Sequence, residues 1–167
     1  MEEIWTITIY NVSVPFVWDI AVKQTNISDA TLQIDQYHYG GMAFRARNSW
    51  YHNRKSSSDS LRDSFSITTS EGRSRLEANH TRPKWVSMSG KIAGKNRSLT
   101  VLPLSPSSEF VRVHPEIPYF CFTPVVKEGF RLEPGESYGM KYRVITSDNI
   151  ASSELIQPFV SNTLLKN

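Results

Sequence analysis

Apolar and polar residues alternate one by one through much of this 167-residue chain, and a period of two is the mark of β-strands with one face turned to a core. In Trp5–Tyr10, Trp5, Ile7 and Ile9 share one face while Thr6 and Thr8 take the other. Next, Phe16, Trp18, Ile20 and Val22 alternate with Val17, Asp19, Ala21 and Lys23. Both runs read as half-buried strands. Lys84–Ser89, Ser98–Leu102, Tyr119–Thr123 and Tyr138–Thr146 read the same way, and shorter candidates lie at Thr31–Asp35, Met42–Arg47 and Phe65–Thr69. In Tyr138–Thr146 the side chains of Tyr138, Met140, Tyr142 and Val144 face one way, and Lys141 and Arg143 the other.

Turn residues punctuate these runs. Residues 89–96 join two strands in hairpin fashion. Glu133-Pro134-Gly135-Glu136 has the order of a type II turn, since Pro presets φ at its second position and Gly supplies a positive φ at its third. Many short strands with turns between them, and no alternating strand–helix rhythm, predict a mainly β fold: one antiparallel β-sandwich over residues 1–167. Two segments break the pattern. Residues 48–82, rich in Ser, Arg and Asn, read as a long excursion around one short strand, and loops of that length are uncommon unless they serve a purpose. Ala151–Leu164 predicts a short helix with Ser152 or Ser153 as cap, interrupted by Pro158.

Composition narrows the class. Apolar residues at 39% and charged ones at 21% are those of a globular protein with a core. The longest apolar runs are a few residues, far short of the roughly 20 a membrane helix needs. MEEIWTITIY is acidic and then strand-like, unlike a secretory signal, so the compartment stays open. The single cysteine, Cys121, excludes an intrachain disulfide. Asn11, Asn26, Asn79 and Asn96 begin glycosylation sequons, which matter only in a secretory host. Charge is uneven: residues 41–100 hold 12 Lys/Arg against 4 Asp/Glu, a local +8, and the remainder holds 7 against 12, or −5. The basic residues are scattered among serines and carry no nucleic-acid-binding signature, so no nucleic-acid partner is expected.

Chemistry is sparse. The histidines, His38, His52, His80 and His114, form no metal-type pair, and there is no nucleophile elbow or phosphate-cradling loop. No metal or cofactor is therefore expected. Two constellations stand out. In Tyr37-His38-Tyr39-Gly40-Gly41-Met42-Ala43-Phe44-Arg45 the glycines allow a sharp turn or a close approach to a ligand. Arg45 and Arg47 would share a face with Ala43, opposite Met42, Phe44 and Ala46, and Arg45 beside Tyr39 and His38 is placed either to clamp an anionic or hydroxylated ligand or to pair with a structural carboxylate. In Arg112-Val113-His114-Pro115 the proline holds His114 extended, as either an acid–base group or a hydrogen-bonded structural residue. Trp85 is either a core anchor or a sugar-stacking platform.

Tyr39-Gly40-Gly41-Met42-Ala43-Phe44-Arg45, residues 84–90 (KWVSMSG), residues 113–122 (VHPEIPYFCF), Leu132-Glu133-Pro134-Gly135-Glu136 and Lys141-Tyr142-Arg143-Val144 together resemble the methane oxygenase PmoA-like family, a bacterial domain of unknown function. The resemblance extends over about residues 35–150. It implies a sandwich like the two-sheet fold of mutarotases, and a saccharide ligand, because members often stand beside carbohydrate-degrading functions and are often exported. Full-length members are nearly twice as long and carry a His-His-Arg motif in the half with no counterpart here, so the resemblance implies a fragment or degenerate copy. Open sheet edges would then need a partner chain or a second copy. The first functional reading is a carbohydrate-binding β-sandwich protein, with His38, Tyr39, Arg45, Arg112 and His114 around a cleft and Trp85 as platform. The alternatives are a sugar-active enzyme of epimerase or lyase type with His38 or His114 as base, and a structural remnant without a site.

Overall fold

A computed structural model describes residues 1–12, 14–47, 50, 65–104 and 110–160. Within them the chain is mainly β, with antiparallel sheets and one short helix near its C-terminal end. The strands are β1 (Glu2–Ile9), β2 (Phe16–Thr25), β3 (Leu32–Ile34), β4 (Met42–Arg45), β5 (Phe65–Thr69), β6 (Val86–Ile92), β7 (Lys95–Pro103), β8 (Phe110–Val113), β9 (Tyr119–Thr123), β10 (Phe130–Leu132) and β11 (Ser137–Ser147), followed by α1 (Ser153–Val160).

A six-stranded sheet in the order β1-β2-β11-β7-β6-β5 forms the base. A three-stranded sheet, β4-β9-β8, lies over it as a cover, and β10 pairs with β3 beside that cover. Alternation decides what meets in the middle. Ile20, Val22, Val86, Met88, Val101, Met140, Tyr142 and Val144 rise from the base, while Val111, Val113, Phe120 and Phe122 descend from the cover. Met42, Phe44 and Ala46 pack against that cluster, as their spacing predicts, which leaves Ala43 and Arg45 on the outer side. Each of these side chains, taken out of water, contributes roughly 1.5–3 kcal/mol, so the sandwich interior is the main source of stability.

The underside of the base is covered too. Val17, Trp85, Leu102 and Ile145 form a second cluster with Ile156 and Phe159 of α1. Ser152 caps this helix, its hydroxyl accepting from the Leu155 N–H at 3.2 Å. Pro158 lies inside the eight-residue helix rather than ending it. Of the face of β2 and β11 that sequence alternation marks as polar, the part under α1 is therefore buried, and it carries Asp19 and Arg143 in direct register, while Lys23 and Lys141 farther along stay exposed.

Turns follow their residue chemistry. Gly135 takes φ +83° and Glu136 N–H donates to the Glu133 carbonyl at 2.9 Å, closing the type II turn. Ala93 and Gly94, both at positive φ, form the two-residue link between Ile92 and Lys95. Other expectations shift. β1 forms as anticipated but is not half-buried: its eight residues are all exposed, because it is an edge strand beyond the reach of the cover. β8 and β10 form where no strand is expected, and of the predicted excursion over 48–82 only Trp50 and residues 65–82, including β5, lie within the described residues.

Candidate functional site

The cover sheet's register sorts its outer side chains. Arg45 is opposite Tyr119, Cys121 is flanked by Ala43 on one side and Arg112 on the other, and Thr123 is opposite Phe110. The Gly40-Gly41 bend brings Tyr39 onto this surface, and it requires glycine. Gly41 has φ +62°, and a Cβ there would stand 2.2 Å from the Phe122 carbonyl oxygen. Rings and cations then alternate. The Arg112 guanidinium lies 5.6 Å from the Tyr39 ring centre, Tyr39 meets Tyr119 edge-on at 5.8 Å, and Arg45 lies 5.5 Å from the Tyr119 ring. Three of the residues singled out from sequence, Tyr39, Arg45 and Arg112, are thus joined through Tyr119.

Asn79 and His80 border the same surface through the bridge between Thr81 and Val111. Arg112 Nη1 donates to Asn79 Oδ1 at 2.9 Å and to the Val113 carbonyl at 2.8 Å. Asn79, though in a sequon, is committed to this structural role, and the sequon residue Asn26 is buried and bonded to the Leu132 carbonyl. Arg112 Nε, His80 Nε2 and Thr123 Oγ1 are buried polar atoms without a partner. Burial together with the charges of Arg112, Lys127 and His38 holds the His80 imidazolium pKa below its ordinary value. Burial pushes the Tyr119 hydroxyl and the Cys121 thiol up, so both stay neutral at physiological pH.

The other sequence candidates part company. His38 is exposed, its ring beside that of Tyr37. His114 sits at the β8–β9 turn with its Nδ1 accepting from the Glu116 and Ile117 N–H groups at 3.1 and 3.2 Å, so that lone pair organises the turn. Trp85 is only 5% exposed and packs beneath the base against α1, on the far side of the molecule from Tyr39 and Arg45. His52 lies outside the described residues.

Two clefts flank the cover. One, of about 540 Å3, is lined by Phe16, Phe44, Arg45, Trp50, Leu99 and Arg97 among others. The other, of about 350 Å3, opens between β1 and the segment leading to β4, with Trp5, Tyr37, Tyr39, Phe130 and Tyr138 as aromatic walls. Glu3, Gln24 and Asp35 supply its polar groups. Glu3 accepts from the Gln24 amide and from the Trp5 indole N–H, and these hydrogen bonds hold its carboxyl below the usual range. Trp5 is 57% exposed and Tyr37 61%, so ring surface faces the opening. Sequence reasoning put Trp5 in the core; its distance from the cover strands is set by sheet order, which alternation does not encode.

No group of three His, Cys, Asp or Glu side chains is placed to hold a metal ion among the described residues, and none of their helices is long and apolar enough to cross a membrane. Neither a curated protein nor a solved structure gives a significant match. A family model does, over residues 1–160, and the chain belongs to that family, a family of unknown function (DUF6807).

Proposed function

We propose that the protein binds a saccharide in the cleft between β1 and the Tyr37–Gly41 bend. The observation that carries this reading is the pair of exposed rings, Trp5 and Tyr37, beside the fixed carboxylate of Glu3, the Gln24 amide and Asp35. A sugar presents an apolar C–H face and a ring of hydroxyls; exposed aromatic faces suit the first, and charged acceptors and amides suit the second. A volume near 350 Å3 is at the small end of ligand clefts and suits one or two sugar units. The sequence resemblance to the PmoA-like family, whose members often stand beside carbohydrate-degrading functions, supports the same reading. His114 serves its turn and His38 is exposed outside the cleft lining, so the reading is a binding protein, with no residue assigned as a catalytic base.

The test is calorimetric titration against a broad oligosaccharide panel. At least one saccharide binds, and Trp5→Ala and Tyr37→Ala each weaken it about tenfold, or about 1.4 kcal/mol. Both side chains are exposed, so the variants should melt as the parent does. No binding across the panel, or binding indifferent to both substitutions, overturns the proposal.

A further inference from the structure

Cations on the outer surface of the cover are held against rings, not carboxylates. Arg45 rests on Tyr119, Arg112 on Tyr39, and Arg82 and Lys127 on Phe110 at 4.1 and 5.4 Å. None of the four makes an ion pair among the described residues. An aromatic face orients a guanidinium without neutralising it, and leaves its in-plane donors for another acceptor. Arg112 spends Nη1 on two neutral oxygens, and its Nε, like His80 Nε2 beside it, is buried under the surface without a partner. The surface therefore carries uncompensated positive charge with a fixed geometry.

Tyr39 belongs to both regions: it lines the cleft and carries Arg112 on its ring. We infer that the cover's outer face recognises anionic groups, and that the saccharide taken by the cleft is an acidic one, bearing carboxylate or sulfate. This rests on the saccharide reading above and adds the class of sugar to it. A nucleic acid fits the same charge less well. It carries a phosphate on every unit and would press some of them against Glu3 and Asp35, whereas a saccharide can offer hydroxyls there and extend its acidic group across Tyr39 toward Arg112 and Arg45.

The experiment uses matched pairs of oligosaccharides on the intact chain: oligouronates with their methyl esters, and sulfated chains with their desulfated forms, plus an oligouridylate. The acidic member of at least one pair binds about tenfold or more tightly than its neutral partner at low salt, and the gap narrows as salt rises. Arg45→Gln, at an exposed position, shrinks that preference at least threefold, while Trp5→Ala weakens both members of the pair. Equal affinity within every pair, or a preference untouched by Arg45→Gln, overturns the inference and leaves the saccharide reading standing. Binding of no glycan overturns both. Tighter binding of the oligouridylate than of any glycan overturns the inference in favour of nucleic acid.

Discussion

Arg143, 2% exposed, spends its guanidinium on several partners: Nε and Nη2 reach the two Asp19 oxygens at 2.7 and 2.9 Å, Nη1 the Phe159 carbonyl at 2.7 Å, and Nη2 also the Tyr10 hydroxyl at 3.2 Å. Burying two charges is tolerable only because each is satisfied, so breaking the pair should cost far more than replacing it. Asp19→Ala is expected to lower stability by about 3–5 kcal/mol in chemical denaturation, and a double replacement of Asp19 and Arg143 by apolar residues of similar size should recover much of that loss. His80 gives a pH signature. Its folded pKa is lowered from the ordinary 6.5, so the unfolded chain takes the proton more readily. The contribution is therefore intact above about pH 6.5 and lost as pH falls below it. Melting temperature followed from pH 8 to 5 should decline less steeply in His80→Gln; identical slopes would remove His80 as a cause. At Gly41, where a Cβ would collide with the Phe122 carbonyl, Gly41→Ala should destabilise by about 1–3 kcal/mol and distort the bend that presents Tyr39.

Among elements, the long alternating strands were legible from sequence, as were the short β3 and β4, while β8 and β10 were not. β5 and β9 fall where alternation places them, and β2 and β11 nearly so, because five or more residues are enough to show a period. β3 lies within the Thr31–Asp35 candidate, but its three-residue partner β10 shows no period, and the pair is held by partners far off in sequence: Arg131 donates to Gln33, and Asn26 ties the Ala30 and Leu132 carbonyls together. α1 is visible through its cap and its apolar residues, but alternation cannot say that it roofs the Asp19–Arg143 face; two opposite charges on neighbouring apolar strands were the available signal. Ser152→Ala should cost about 1 kcal/mol through the lost N-cap, measured by denaturation. Of the candidate site, Tyr39, Arg45 and Arg112 were legible because glycines, arginines and aromatics crowd two short motifs. Trp5, Tyr37 and Glu3 were missed because their exposure depends on where the cover sheet stops, which is a property of strand order.

At the scale of the whole molecule, the sandwich is covered unevenly. Its base is packed on both faces at the centre, by the cover above and by α1 beneath, while β1 projects past both. From Ile4 to Ile9 this outermost strand carries no charged side chain, and its far edge has no strand beside it among the described residues. Such an edge is a template on which unrelated chains add strands, and natural sheets usually blunt it with a charge or a proline. The consequence concerns handling rather than recognition: at high concentration the protein should form β-rich aggregates that start from this strand. Thr6→Glu puts a charge on the side of β1 away from Trp5, opposite Ala21 and near Lys23 and Lys141. It should slow light scattering and thioflavin-positive growth several-fold while leaving the melting temperature within a few degrees. Unchanged aggregation kinetics would place the nucleus elsewhere in the chain.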